Sequence, residues 1–315
     1  MEISSVLKEA VSGDLMVDEV GHLMRLGDGQ RWHIWACEDL RHWVEKLASI
    51  MQLEISEPNG YPKLIFIRKQ PANKNASKPI CGQEEKLEKE LFRSGWRARE
   101  IEEMRFWSRS DARSVICAIE SGDENLEVLM MRHSVFPIYQ RTQDSGGLPL
   151  HAALVERKGR GILLSAPANT GKSTCCRRLP SPWKALCDEE TLVVRAGRKR
   201  YLAHPFPTWS DYLWRRSKKT WNVEEHVPLS AIFFLKQAGT DQVIAMGQGE
   251  AAVCIYHTAM QVLRRSWSYL NREEVESHKL KLFENACELA ISVPAFKLRV
   301  SLEGRFWEEI EKVLF

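Results

Sequence analysis

A chain of 315 residues with 45 Lys and Arg against 42 Asp and Glu carries a formal charge of only +3, too little to draw nucleic acid by charge alone. Hydrophobic residues make up 44% and charged ones 28%, the balance of a soluble globular protein long enough for two domains. No apolar run approaches the length of a membrane-spanning helix, and the opening MEISSVLKEAVSGD lacks the basic and apolar regions of a signal peptide, so no membrane contact and a cytoplasmic location are expected.

The first 95 residues read as a small α+β module. HLMRLGDGQRWHIWAC is two alternating runs around Gly27-Asp28-Gly29, a hairpin pattern. EDLRHWVEKLASIMQL then repeats Leu40, Trp43, Leu47 and Met51 at helical spacing, with Glu38 and Asp39 favouring its first turn. PKLIFIRK is a short strand, and RKQPANKNASKPICGQ, rich in Pro, Lys, Asn and Ser, a solvated loop or linker. With every candidate for chemistry lying further on, this module is expected to bind a partner or peptide.

Residues 96–145 read as a connecting segment. SDARSVICAIESG is predicted to be a helix ending at Gly122 and NLEVLMMRHS a strand; Trp96, Phe106 and Trp107 are expected in the core. The eight cysteines, Cys37, Cys81, Cys117, Cys175, Cys176, Cys187, Cys254 and Cys287, form no C-x-x-C pair and no zinc-ligand spacing, so free buried thiols are expected.

From residue 146 to 315 the pattern becomes that of an α/β domain. LHAALVERKGRGILLSAP is strand, turn, strand, and it leads directly into Ala166, Pro167, Ala168, Asn169, Thr170, Gly171, Lys172, Ser173 and Thr174. This matches a phosphate-binding loop, G-x-x-x-x-G-K-[ST], with alanine at its first position. Gly171 supplies a tight backbone approach, Lys172 a charge for the outer phosphates and Ser173 a hydroxyl for Mg²⁺. STCCRRL opens a helix, ended by Pro180, Pro182 and Trp183.

WKALCDEETLVVR then brings a strand into three acids, Asp188, Glu189 and Glu190, placed for Mg²⁺ binding and base catalysis or forming a solvated turn. YLAHPFPTWSDYLWRR, with His204, Trp209, Asp211, Arg215 and Arg216, looks too Pro-broken for a regular helix; it is either a recognition loop, with His204, Trp209 and Arg215 as substrate candidates, or a structural clamp. PLSAIFFLKQ is a strand, 250–292 is helical, and AFKLRVSL and FWEEIEKVL close the chain as strand and helix.

His151, the loop and the acids together resemble the catalytic domain of the HPr serine kinase/phosphorylase family, an atypical P-loop kinase fold related to phosphoenolpyruvate carboxykinase. In that family a histidine precedes a strand-turn-strand, the phosphate loop follows, and an Asp-Asp pair comes after the next helix. GGLPLHAALVERKGRGILL, GKSTCCRRLPSPWKALCDEETLVV, HPFPTW and SLEGRFWEEIE are similar, more closely, to the SynChlorMet cassette proteins of the ScmC type.

The resemblance implies an ATP- and Mg²⁺-dependent serine kinase whose substrate is a peptide or small protein, in the company of radical SAM proteins and a PqqD-like peptide-binding protein. It carries over His151, Lys172 and Asp188 as catalytic residues, with Asp188 as base oriented by His151, and Ser173 and Glu189 as Mg²⁺ ligands; Asp188 and Glu189 can exchange roles. An oligomer is compatible with it. The departures are Ala166, tolerable where φ is negative, Pro167, which removes one N–H from the loop, and Glu189 in place of the second Asp. Two alternatives stay open: a silent nucleotide-binding scaffold for peptide-modifying partners, or a kinase of a small molecule such as free serine.

Overall fold

The computed structural model describes residues 20–57, 62–68, 88–102, 104–109, 114–119, 124–167, 170–215, 219–267 and 270–315. The linker RKQPANKNASKPICGQ lies outside them from Lys69 onward. The chain forms two units, one holding Gln30–Pro137 with the residues up to Arg25, the other Ile138–Phe315 with Leu26–Gly29. Each is a mixed α/β arrangement around its own sheet. Among the described residues no helix is long and apolar enough to cross a membrane.

The first unit is a seven-stranded sheet of β1 (Gly21–Arg25), β2 (Arg31–Ala36), β3 (Glu54–Ser56), β4 (Lys63–Arg68), β5 (Arg97–Ile101), β6 (Met104–Ser108) and β7 (Val115–Ile119), in the order β3-β1-β2-β4-β7-β6-β5. The hairpin of β1 and β2 forms as the Gly-Asp-Gly turn predicts, with Gly29 at φ +91°. Helix α1 (Arg41–Met51) buries Trp43, Val44, Leu47 and Met51, and the Trp43 ring meets Phe66 of β4 at 4.9 Å. Trp96, Phe106 and Trp107 are buried as expected.

Two predicted elements are exchanged. The run expected as a helix is β7, parallel to β4 and antiparallel to β6. A short run such as Val-Ile-Cys-Ala-Ile has no polar face to set its period, and its neighbours in the sheet decide its type. NLEVLMMRHS, expected as a strand, lies in helix α2 (Glu124–Ser134). There the adjacent Met130 and Met131 are both buried, which a half-buried strand with alternating sides does not allow. Thus residues 96–145 contribute three strands to the first sheet, followed by α2 and α3 (Phe136–Asp144).

The second unit holds nine strands: β8 (Leu148–Leu150), β9 (Ala152–Arg157), β10 (Arg160–Ser165), β11 (Lys184–Cys187), β12 (Glu190–Arg195), β13 (Tyr201–Phe206), β14 (Val227–Gln237), β15 (Gln242–Ala245) and β16 (Ala295–Val300). Their order is β11-β9-β10-β14-β13-β12-β8, with β16 also beside β14 and β15 beside β16. Helices α4 (Lys172–Arg178), α5 (Trp209–Arg215), α6 (Gln248–Leu263), α7 (Arg272–Ser292) and α8 (Phe306–Leu314) complete it. Ile162 and Leu164 of β10, Phe233 of β14, Leu298 of β16, Cys175 of α4, and Phe306 and Ile310 of α8 share one core. Cys175 is thus a packing residue, and burial pushes its thiol up to about 11.

The stretch YLAHPFPTWSDYLWRR is more regular than expected. Pro205 stands inside β13 opposite Thr191, and α5 starts right after Pro207 and Thr208. The register of β13 with β12 continues through its proline without a shift.

Strand β10 sits between antiparallel β9 and parallel β14, and its register with β14 shifts at Gly161. A Cβ on Gly161 would come within 2.5 Å of Val227 Cγ2 and 3.2 Å of the Pro228 carbonyl. Gly161→Ala is therefore expected to destabilise the unit by about 1–3 kcal/mol, the range for overpacking. Chemical denaturation of the two proteins checks this; an unchanged midpoint would show that β14 yields without cost.

Candidate functional site

Pairing places three separate pieces of sequence on one edge of the second sheet. β9 is antiparallel to both β10 and β11, with Ala152 opposite Ser165 and Leu154 opposite Cys187. The chain leaving β10 at Ala166, the chain leaving β11 at Asp188 and the chain entering β9 at His151 therefore meet at the same edge. The backbone N–H of His151 donates to the Thr258 carbonyl on α6, whose hydroxyl lies 2.9 Å from Ser165 Oγ, so α6 supports this junction from behind.

At the loop, Ala166 is buried and Pro167 exposed, while Ala168 and Asn169 lie outside the described residues. Gly171 has φ +111° and ψ 18°, a left-handed conformation that favours glycine, with open space where a Cβ would stand. Helix α4 then starts at Lys172, and its N-cap residue, Gly171, has no side chain to cap it. Ser173 and Thr174 are half-buried on its first turn.

Lys172 turns back over the loop. Its Nζ lies 2.8 Å from the Ala166 carbonyl and 2.9 Å from His151 Nε2, with the Pro167 carbonyl at 3.4 Å. Burial pushes the Lys172 ammonium down to about 8, against the pull of the Glu189 and Asp188 carboxylates. While Lys172 is an ammonium it can only donate, so His151 Nε2 is then the acceptor and the imidazole is neutral.

The acids are anchored by the entry to α5. Asp188 Oδ1 accepts from the Thr208 hydroxyl at 2.6 Å, and Glu189 Oε2 accepts from the Ser210 N–H at 2.9 Å. Both are half-buried, unlike the side chains of a freely solvated turn. Glu190 parts company with them: at 2% exposed it points inward, and the Tyr139 hydroxyl donates to it at 2.9 Å. Asp188 and Glu189 offer carboxylate oxygens and Ser173 a hydroxyl, and oxygen donors are the kind that suits Mg²⁺; among the described residues no group of three or more His, Cys, Asp or Glu side chains is placed to hold a metal ion. The open left-handed Gly171 leaves space for phosphate oxygens to approach.

Asp188 Oδ1 thus accepts from Thr208, and His151 Nε2 lies against Lys172 Nζ. Thr208, Ser210, Tyr139 and Thr258 were missed in the sequence. A proline followed by threonine ahead of a helical run is a helix-start signal, and it could have pointed to Thr208.

Of the substrate candidates, the structure leaves two in the interior. Trp209 is fully buried. His204 is fully buried too: its Nδ1 pairs with the Val223 carbonyl at 2.8 Å, and its Nε2 faces the Gly27 N–H at 3.0 Å. One neutral tautomer, donating from Nδ1 and accepting at Nε2, satisfies both. The side chain of Arg215 lies outside the described residues.

Burial pushes the His204 imidazole down to about 4 from 6.5. The folded state therefore refuses a proton that the unfolded chain accepts. The stability this gives is present above about pH 6.5 and lost as pH falls toward 4, by roughly 3 kcal/mol. Urea midpoints measured across that window should fall less steeply for His204→Gln than for the unsubstituted protein. Equal slopes would assign the acid sensitivity to other groups.

The family model described as SynChlorMet cassette protein ScmC matches residues 115–315. The chain belongs to the ScmC family. The match covers β7 through the C-terminal helix, and so the whole junction of His151, Lys172, Asp188 and Glu189. A search of curated proteins finds no match. As an ScmC-family member the chain is a cassette protein, and its partners are to be sought among the other products of the cassette.

Proposed function

We propose that this protein is an ATP- and Mg²⁺-dependent kinase of the HPr-kinase-like P-loop type. Its substrate is a serine of a ribosomally made peptide, handled together with radical SAM and PqqD-like proteins. The observation that carries this reading is the junction itself: Lys172, held by His151 at the mouth of the loop, shares one sheet edge with Asp188 and Glu189.

MgATP, when bound, supplies the γ-phosphoryl group for transfer. Lys172 neutralises phosphate charge, and the amides at the start of α4, behind the N-cap Gly171, are suited to phosphate oxygens. Ser173 and Glu189 are the residues that would hold the metal. Asp188, with Oδ1 bound to Thr208, has Oδ2 to take the proton of the attacking hydroxyl. Thr208 fixes the rotamer of that carboxylate, and His151 keeps Lys172 over the loop.

The test is mass spectrometry of the cassette's short peptide after incubation with the protein, ATP and Mg²⁺. A gain of one phosphate on serine is expected. ATP that binds while every peptide stays unmodified would favour a silent scaffold instead. Pro167, which offers no N–H to phosphate, is the observation on that side.

A further inference from the structure

Helix α4 carries the lysine of the candidate site at its first position, yet it spans only seven residues, Lys172–Arg178. That is about two turns, too short to hold itself in water. Its N-cap is Gly171, the backbone turns extended at Leu179, and Pro180 follows. The place of α4 is therefore set by what it packs on. Cys175 fixes its middle in the core beside Leu164, Phe233 and Phe306. Just ahead of it, the Thr170 carbonyl accepts from Gln237 Nε2 at the end of β14, at 3.3 Å. Arg178 fixes its far end.

Arg178 reaches across to the turn 301–304, between β16 and α8. Its Nη1 donates to the Ser301 carbonyl at 2.7 Å and its Nη2 to the Gly304 carbonyl, while the guanidinium carbon lies 5.4 Å from the centre of the Phe306 ring. A planar fork of donors suits two carbonyls held at a set spacing, which a single ammonium cannot match. The turn itself sets that spacing. Asp241 Oδ1 accepts from the Ser301 N–H at 2.6 Å, and Ser301 Oγ accepts from the Gly304 N–H at 2.9 Å. A Cβ on Gly304 would overlap Asp241 Oδ2 and Ser301 Oγ, so glycine is required there. Two stretches similar to the ScmC proteins, GKSTCCRRLPSPWKALCDEETLVV and SLEGRFWEEIE, thus meet in one contact. The chemistry proposed above uses neither Arg178 nor the turn.

We propose that Arg178 is a positioning residue of the candidate site. Its grip on the turn 301–304 sets where α4 begins, and so where Lys172 and Ser173 stand relative to Asp188 and Glu189. The consequence for phosphate transfer rests on the kinase reading; the grip on the helix does not.

Two measurements on the full chain test this. The first is hydrogen exchange by mass spectrometry, without nucleotide. Arg178→Met keeps an unbranched stem over Phe306 but removes both donors. Exchange in 170–178 and 301–304 should become about 10-fold faster, the worth of one lost charge-assisted bond, with α7 unchanged. Ile310→Val, which trims the same core without touching the grip, should leave exchange in 170–178 as it is. The second measurement is transfer to the peptide. Arg178→Met should raise the KM for MgATP and slow transfer by up to about 100-fold, as a misplaced reactive group does, with the KM for the peptide unchanged. Arg178→Lys, which keeps the charge but not the fork, should recover part of both effects. Circular dichroism confirms that each variant is folded. Unchanged exchange in 170–178 of Arg178→Met would overturn the proposal. So would faster exchange with MgATP use unaltered, or an Ile310→Val protein that loses MgATP as Arg178→Met does. A chain that binds no MgATP at all would sink the kinase reading alone, and exchange would then decide the grip by itself.

Discussion

Asp188→Asn is expected to slow phosphate transfer to the peptide by about 100-fold to 10,000-fold, the usual cost of losing a general base. The amide keeps the size of the carboxylate, and its oxygen can still accept from the Thr208 hydroxyl, so the turn between β11 and β12 should stay folded. What it cannot do is take a proton. Nucleotide binding should change much less, because Lys172 and the loop amides make the phosphate contacts in this reading. Single-turnover transfer separates the two effects. Thr208→Val provides a graded control, since it releases Oδ1 without removing the base, and should cost less than Asp188→Asn. An Asp188→Asn protein that transfers at the unsubstituted rate would remove Asp188 from the mechanism and leave Glu189 as the next candidate.

Lys172→Met is expected to remove the thermal stabilisation that MgATP gives. Ligand at about 100 times its dissociation constant should add about 2.7 kcal/mol to the unsubstituted protein. Methionine keeps much of the buried stem but brings no charge to the phosphates. The same lysine predicts a pH dependence. Burial holds its ammonium at about 8 in the free protein, so the charge is present below that pH and lost above it. Phosphate binding stabilises the charged form, so nucleotide binding above pH 8 must take up a proton. Affinity should therefore fall as pH rises through 8, and calorimetry in buffers of different ionisation enthalpy should detect the uptake. A melting curve that saturating MgATP leaves unchanged in the unsubstituted protein would sink the nucleotide site altogether.

These expectations draw on features that differ in how readily the sequence shows them. The loop from Ala166 to Ser173 is local: an apolar strand, a glycine that takes φ +111°, and Lys-Ser at the start of a helix lie within a few residues of each other. Such patterns are visible because backbone conformation and helix initiation depend mainly on near neighbours. The same holds for the hairpin at Gly27-Asp28-Gly29 and for α8, whose Phe306 and Ile310 are one turn apart and both buried.

Where the reading and the structure part, the deciding interaction is distant. Val115–Ile119 becomes a strand because β4 and β6 pair with it on both sides. His204 stands in a Pro-containing stretch that the sequence leaves as either a recognition loop or a structural clamp, and in β13, paired with β12, it is completely buried. No local pattern tells a buried, satisfied histidine from one facing a ligand, because the difference lies in partners such as Val223, far along the chain.

The sequence by itself determined the chemical inventory and its order: a histidine, a lysine in a glycine-bearing loop, and a run of three acids. It also determined the family to which the chain belongs, since the ScmC match rests on residue identity along the chain. Only the tertiary structure decided which acids accompany the lysine. Asp188 and Glu189 lie in the turn where β11 ends and reach Thr208 and Ser210, whereas Glu190 already belongs to β12 and turns inward to Tyr139. It likewise decided that His151 meets Lys172, because β9 stands between β10 and β11 and brings its first residues to the edge where both of them end. Side-chain type is written residue by residue, but the edge on which residues meet is set by strand pairing between distant segments.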